Sequence, residues 1–193
     1  PTTKSIVAQS VLSDIDVASS SATIAVSPNG NLVVTVNPDS NSITLVDAVQ
    51  LTVLAEIHVG DHPRSIAITP DSQHALITNF RSGTLSIVDL QLLAVAMQYP
   101  VGPMPYGVVT DGIHAYITEF SRSTINVFSL FSGSLIASIP VNPFPSGIAL
   151  SSDGQLLLVS HLFTGLITSI HTPSLTVTGT ASTGQDIGLS QFI

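Results

Sequence analysis

Four times along the chain a small apolar triplet runs into an Asn- or Asp-centred turn, then into a β-rich run that closes on a polar residue. The turn residues Asn29, Asp71, Asp111 and Asp153 stand 42, 40 and 42 residues apart, and the closing residues Asn37, Asn79, Glu119 and His161 keep the same intervals. A third series, the steps Val59-Gly60, Val101-Gly102, Val141-Asn142 and Thr183-Gly184, repeats them again. Three series sharing one two-residue deletion do not arise from composition. A fixed period near 40 in a β-rich chain means stacked supersecondary units, and four short strands per unit is the signature of a β-propeller.

Aligned on these series, residues 1–193 form a single all-β domain with four-stranded antiparallel blades at about 19–60, 61–102, 103–142 and 143–184. Each unit opens on a short apolar strand such as Ile66-Ala67-Ile68, whose small residues suit the crowded axis of a propeller. Turns such as Ser27-Pro28-Asn29-Gly30 then make hairpin corners, because Pro presets φ and Asn-Gly tolerates positive φ. Ile66, Ile68, Ile77, Ile87, Val108, Ile117, Ile148 and Val159 occupy recurring apolar strand positions and are expected to form the core. Residues 1–18 read as the outer strand of a preceding blade, since Ser13 to Val17 aligns with Ala55 to Val59. Residues 185–193 read as the first strand of a following blade, with Gly188-Leu189-Ser190 on Gly147-Ile148-Ala149. Three architectures fit: part of a six- to eight-bladed ring, which is preferred, two chains completing one ring, or a compact four-blade unit. In the first two, the apolar runs Ser5-Ile6-Val7 and Phe192-Ile193 would not cap the arc, and the chain is expected to be assembled rather than monomeric.

Composition narrows the partners. Only 8% of residues are charged against about 25% in ordinary soluble domains, and mean hydropathy is +0.52. No apolar run approaches the ~18 residues of a spanning helix. Twelve acidic and four basic residues give a net charge of −8, which opposes nucleic acid and anionic membrane surfaces. With no cysteine there is no disulfide, thiolate metal site or cysteine nucleophile in this sequence.

Leu76-Ile77-Thr78-Asn79 and Tyr116-Ile117-Thr118-Glu119, with the strand end Ile87-Val88-Asp89 following the first, resemble the YVTN-type β-propeller repeat. The steps Val59-Gly60-Asp61-His62-Pro63 and Val101-Gly102-Pro103-Met104-Pro105 are similar to that family's blade junction. The resemblance covers about residues 10–190 and is weakest in the fourth unit, where Ser160-His161 and His171 depart from the motif. It implies a surface-layer, periplasmic or otherwise extracellular propeller protein.

Chemistry-bearing constellations are few. His58 and His62 stand four apart, but a strand end and junction separate them, so the helical zinc geometry does not apply. His74 and His114 share one repeat slot and read as surface residues. Neither a G-x-S-x-G elbow nor a phosphate loop is present, and the turn aspartates read as backbone-bonding turn formers. No metal or cofactor is assigned. The candidate ligand site is the set of junctions, taken as the mouth of the central channel. Arg64, Tyr106 and Ser146 share one slot there, with His62, Met104 and Phe144 two residues earlier. Arg64 is the best candidate for an anionic group, but it is expected to pair with a nearby carboxylate such as Asp61. The sequence favours a non-enzymatic exported scaffold or binding module acting on proteins or a ligand. The alternatives are a propeller domain of a periplasmic redox enzyme (haem-, quinone- or copper-associated) and a hydrolase or lactonase-like propeller with a channel metal.

Overall fold

A computed structural model describes residues 17–183. Ser13 to Asp16, Gly184, Gly188-Leu189-Ser190 and the terminal runs Ser5-Ile6-Val7 and Phe192-Ile193 lie outside the described residues. The strands are β1 (Val17–Ser20), β2 (Ile24–Val26), β3 (Leu32–Asn37), β4 (Ser42–Asp47), β5 (Thr52–His58), β6 (Pro63–Ile68), β7 (His74–Asn79), β8 (Thr84–Asp89) and β9 (Ala94–Pro100). They continue as β10 (Pro105–Thr110), β11 (His114–Glu119), β12 (Thr124–Ser129), β13 (Leu135–Pro140), β14 (Pro145–Ser151), β15 (Leu156–His161), β16 (Leu166–His171) and β17 (Thr176–Ser182). β2–β5, β6–β9, β10–β13 and β14–β17 are four antiparallel meanders, and the described residues contain no helix. This is the all-β propeller that the repeat implies. β1 adds a fifth strand to the last sheet, at the inner edge of β14. Val17, the one described residue of the run aligned to a preceding blade, therefore begins a strand on the fourth sheet.

Each sheet packs its face on the next. Val34, Ile43 and Leu45 of the first meet Ile66, Ala75 and Ile77 of the second. Leu76 and Leu85 on the second sheet's other face meet Val108, Ile117 and Phe128. Val109, Tyr116 and Ile125 meet Ile148, Leu157 and Val159. Middle strands β7 and β11 are accordingly buried on both faces and lack the alternation of a half-exposed strand. All eight core positions expected from the sequence are buried. The outermost sheets differ. Ile24 and Val26 are 57% and 60% exposed where their repeat counterparts Ile66 and Ile68 are 0% and 8%. β15 alternates, burying Leu157 and Val159 while Leu156 and Leu158 are exposed.

Local polar chemistry holds the corners. The side-chain oxygens of Asn29, Asp71 and Asp153 accept the N–H two residues on, from Asn31, Gln73 and Gln155. Asp47 and Asp89 do the same for the turns after β4 and β8. These are the Asx turns expected of such residues.

At the opposite end of the second and fourth blades the closing polar residue clamps the junction directly, and in the third it does so through Asn126. Asn79, fully buried, accepts the N–H of Gly60 at 3.1 Å and donates to Thr84 and Ser86. A Cβ on Gly60 would lie 2.5 Å from Asn79 Cγ, so the glycine is a packing requirement. Glu119 in the same slot accepts from Asn126 Nδ2 at 2.9 Å, and that amide also donates to the Val101 carbonyl at 3.2 Å. His161 lies 3.1 Å from the Pro143 carbonyl through Nδ1 and 2.8 Å from Thr168 Oγ1 through Nε2. A carbonyl only accepts, so Nδ1 carries the proton, and neutral Nε2 accepts from the Thr168 hydroxyl. Thr168 in turn accepts from Asn142 Nδ2, which occupies the junction slot that Gly60 and Gly102 fill elsewhere.

Two consequences are measurable. Truncating Ile77 or Ile117 to Ala removes fully buried methyls between blades, and each is expected to cost about 2–5 kcal/mol in urea unfolding. A cost below about 1 kcal/mol at both would contradict the packing described. Burial holds the His161 imidazole below its usual value of 6.5 despite the hydrogen bond at Pro143. The unfolded chain therefore takes up its proton first as pH falls. The stability linked to this residue is present above about pH 6.5 and is lost as pH falls toward the folded value. The urea midpoint should drop between pH 7.5 and 5.5 in the parent and drop less in His161→Asn; equal drops would refute the linkage.

Candidate functional site

The junctions β5–β6, β9–β10 and β13–β14 and the loops following β7, β11 and β15 meet at one end of the blades. His62, Met104 and Phe144 occupy the same junction slot, with φ of 56°, 54° and 59°. Left-handed backbone is uncommon for side chains of this size, and it persists where the surroundings over-determine it. Here the surroundings are specific. The carbonyls of His62, Met104 and Phe144 accept the N–H of Phe80, Phe120 and Leu162 at 2.9, 3.2 and 2.9 Å. A proline follows each slot at Pro63, Pro105 and Pro145 and fixes the next φ.

The geometry lays aromatic rings in an unbroken path across three blades. The His62 ring meets Phe80 edge-on at 6.2 Å, and Phe80 meets Tyr106 at 6.1 Å. Tyr106 stacks on Phe120 at 5.8 Å and 25°, Phe120 contacts Phe144 at 5.3 Å, and Phe144 contacts Phe163 at 5.7 Å. Phe144 is 41% and Phe163 59% exposed. Arg64 lies within this path. Its guanidinium carbon sits 4.0 Å from the Tyr106 centroid and 5.3 Å from that of Phe80, and Nη2 donates to the Tyr106 hydroxyl at 2.6 Å. Its Nε is buried without a hydrogen-bond partner. Among the described residues no carboxylate lies within ion-pair distance of Arg64, and the exposed Asp61 does not pair with it.

Of the residues singled out from the sequence, His62, Arg64, Tyr106 and Phe144 converge on this surface, and Met104 is exposed on the same rim. Ser146 does not join them. It is buried, its Oγ donates to the Ser160 carbonyl at 3.2 Å, and its own carbonyl accepts from Thr118. Phe80, Phe120 and Phe163 were not singled out by the sequence reading. Their signal is the repeat itself: Phe80 and Phe120 each follow the closing polar residue directly, and the fourth unit offers Leu162-Phe163 there.

The axis carries a small-residue segment. β1 pairs with β14, Ser21 N–H donates to the Ile148 carbonyl, and Ala22 bridges to Ile66 of β6. Gly107 of β10 lacks a Cβ where Ser21 Cβ would stand 3.1 Å away. Residues 17–22 thus cross the space between the inner edges of the fourth and second blades.

A second polar cluster lies at the other end of the blades, beside a groove of about 320 Å³ between the third and fourth. Asp111 Oδ2 lies 2.9 Å from His114 Nδ1 and accepts the Tyr116 hydroxyl at 3.0 Å. Burial raises the Asp111 carboxyl, but bonds from His114 and the backbone outweigh it and hold it below its usual value. Burial, with the adjacent Asp111 charge, pushes the Tyr116 phenol up strongly. His74 occupies the equivalent slot one blade earlier, beside Asp71. Among the described residues no three His, Asp or Glu side chains are grouped to hold a metal.

Residues 3–93 match a family model described as a lactonase, 7-bladed β-propeller. No curated protein matches the chain. Among solved structures, Kuenenia stuttgartiensis hydrazine synthase is similar at 25% identity and a TM-score of 0.76, over 91% of this chain and 52% of that one. A functionally unknown protein from Desulfotomaculum acetoxidans DSM 771 is similar at 17% identity and 0.73, over 87% and 58%. The Cps50 (Swd1) β-propeller domain of Myceliophteria thermophila is similar at 11% identity and 0.72, over 89% and 58%. The chain spans little more than half the length of these proteins and is similar to them over nearly all of its own.

Proposed function

We propose that this chain is a ligand- or protein-binding β-propeller module, part of a larger ring, that binds through the aromatic and Arg64 surface at its blade junctions. The observation that carries this reading is the run of six rings held by strained left-handed residues around an unpaired guanidinium. Such a surface serves recognition better than stability. The larger ring is supported by the open apolar faces of the first and last sheets and by the match to a seven-bladed family over residues 3–93. Those faces would be covered by further blades of the same protein or of another chain. We assign the module to an exported, cell-surface or periplasmic protein on the strength of its YVTN-like repeat.

A second reading, a propeller within an enzyme assembly, has two specific supports. The similarity at 25% identity is to a hydrazine synthase, and the family model is that of a lactonase. In that reading the aromatic surface positions a partner or substrate while catalytic groups come from elsewhere.

Two-dimensional amide NMR of the chain, titrated with a library of small aryl and acyl compounds, tests the site. Shifts are expected to cluster at residues 62–64, 104–107, 120, 144 and 163 and to need higher ligand concentration in Phe144→Ala. Shifts confined to the grooves beside His74 or His114, or none anywhere, would refute the assignment.

A further inference from the structure

We propose that the ligand of this surface is a small amphipathic carboxylate, an acyl or aryl acid whose carboxylate meets Arg64 and whose apolar body lies along Tyr106, Phe120, Phe144 and Phe163. The inference rests on the binding reading above and specifies its chemistry.

Charge placement is the first support. The chain has 12 acidic and 4 basic residues, yet Arg64 has no carboxylate partner among those described. Junctions and the loops after the second strands lie at one end of the blades, and all three described basic residues, Arg64, Arg81 and Arg122, are there. Asp47, Asp71, Asp89, Asp111 and Asp153 all belong to turns at the other end, which has no Lys or Arg among the described residues. The aromatic end therefore holds every described cation, alongside the acids Asp39, Asp61 and Glu119. Glu119 is buried beneath that face, with Arg122 Nε 3.5 Å from its Oε1. Arg64 is thus the cation that sits among the rings without an acid to neutralise it.

The state of the guanidinium is the second support. One donor is spent on Tyr106, Nε is buried without an acceptor, and two ring faces hold the group in place. A half-buried guanidinium lacking its complement of acceptors favours a planar oxyanion that can take two donors at once.

Shape and polarity supply the third. From Arg64 the surface runs onto Tyr106, Phe120, Phe144 and Phe163, with successive centroids 5.3–5.8 Å apart. A multiply charged ligand gains nothing from that apolar continuation and is repelled by a chain of net charge −8. A monoanion with a flat or chain-like apolar body uses both ends.

Calorimetric titration of the full chain at pH 7.5 with octanoate, octanol, octylammonium and acetate separates the contributions. Octanoate is expected to bind at least tenfold more tightly than octanol, and octylammonium and acetate more weakly still. Arg64→Gln should remove most of the octanoate-over-octanol preference, and Arg64→Lys should keep part of it. Phe144→Ala should weaken octanoate and octanol alike while leaving their ratio unchanged. Octanol binding as tightly as octanoate would overturn the carboxylate assignment while leaving the binding surface standing. Failure of all four probes, with shifts still clustering at the junctions in the amide map, would overturn the acyl assignment alone. A Leu-terminated peptide with a free carboxylate binding tenfold more tightly than octanoate would transfer the site to a chain terminus and overturn the small-acid assignment.

Discussion

The clamp that ties Asn79 and His161 directly, and Glu119 through Asn126, to the junctions beside them is the contact on which the binding face depends. An antiparallel meander could enter the next blade at many angles. Here the entry is fixed because buried Asn79 and His161 find hydrogen bonds in the junction backbone and third-strand hydroxyls, while Glu119 takes Asn126 on Oε2 and leaves Oε1 without a hydrogen bond. A buried polar side chain left unbonded costs about 1–3 kcal/mol, so the junction is held where it serves as partner. The same geometry forces Gly at position 60, where Asn79 fills the space a Cβ would need, and explains how Asn142 stands in that slot when its amide reaches Thr168 instead. Threonines extend the control between blades. Thr78 donates to the Tyr106 carbonyl and Thr118 to that of Ser146, so β7 and β11 also hold the start of the following blade.

Apolar packing then supplies most of the cohesion, and its distribution follows from position in the arc. Middle blades bury both faces, so their strands read as nearly continuous apolar runs, whereas β15 alternates because only one of its faces has a neighbour. Ion pairs contribute little, since the described residues hold only His114–Asp111 and Arg122–Glu119. A structure built on neutral hydrogen bonds and burial needs few charges, which accounts for a chain with 8% charged residues. It also leaves the few cations free to be grouped on one face.

Much of this was legible in the sequence because a repeat reports each structural requirement several times. The turn aspartates and the eight core positions recur at fixed intervals, and the structure finds each doing what its residue type suggests. The site was legible only in part. His62, Arg64, Tyr106 and Phe144 could be placed on one rim by counting, but Ser146 was placed there too, and it turns inward to Ser160 because a small hydroxyl finds its partner in its own sheet. Phe80 and Phe120 carry a weaker signal, because their slot is Leu162 in the fourth unit and an aromatic beside a strand end fits a buried position as well as an exposed one. The path of β1 could not be read at all: Val17 aligns with an outer strand, and only the spatial convergence of inner edges shows that Ser19 to Ala22 lie against β14 and β6.

The left-handed residues at the junctions bear on how such a surface could change over time. Gly, Asn or Asp would relieve the backbone at positions 62, 104 and 144, where side chains of the size of His, Met and Phe each carry a conformational penalty of order 1–3 kcal/mol. A lineage selected for robustness alone would drift toward those smaller residues and become hardier and blander together. Because each slot's carbonyl is held by its own loop N–H and each slot is followed by its own proline, one can be exchanged without disturbing the others. The rim therefore works as a keyboard of separately tunable positions, on which new specificities can be composed while the blades beneath stay the same.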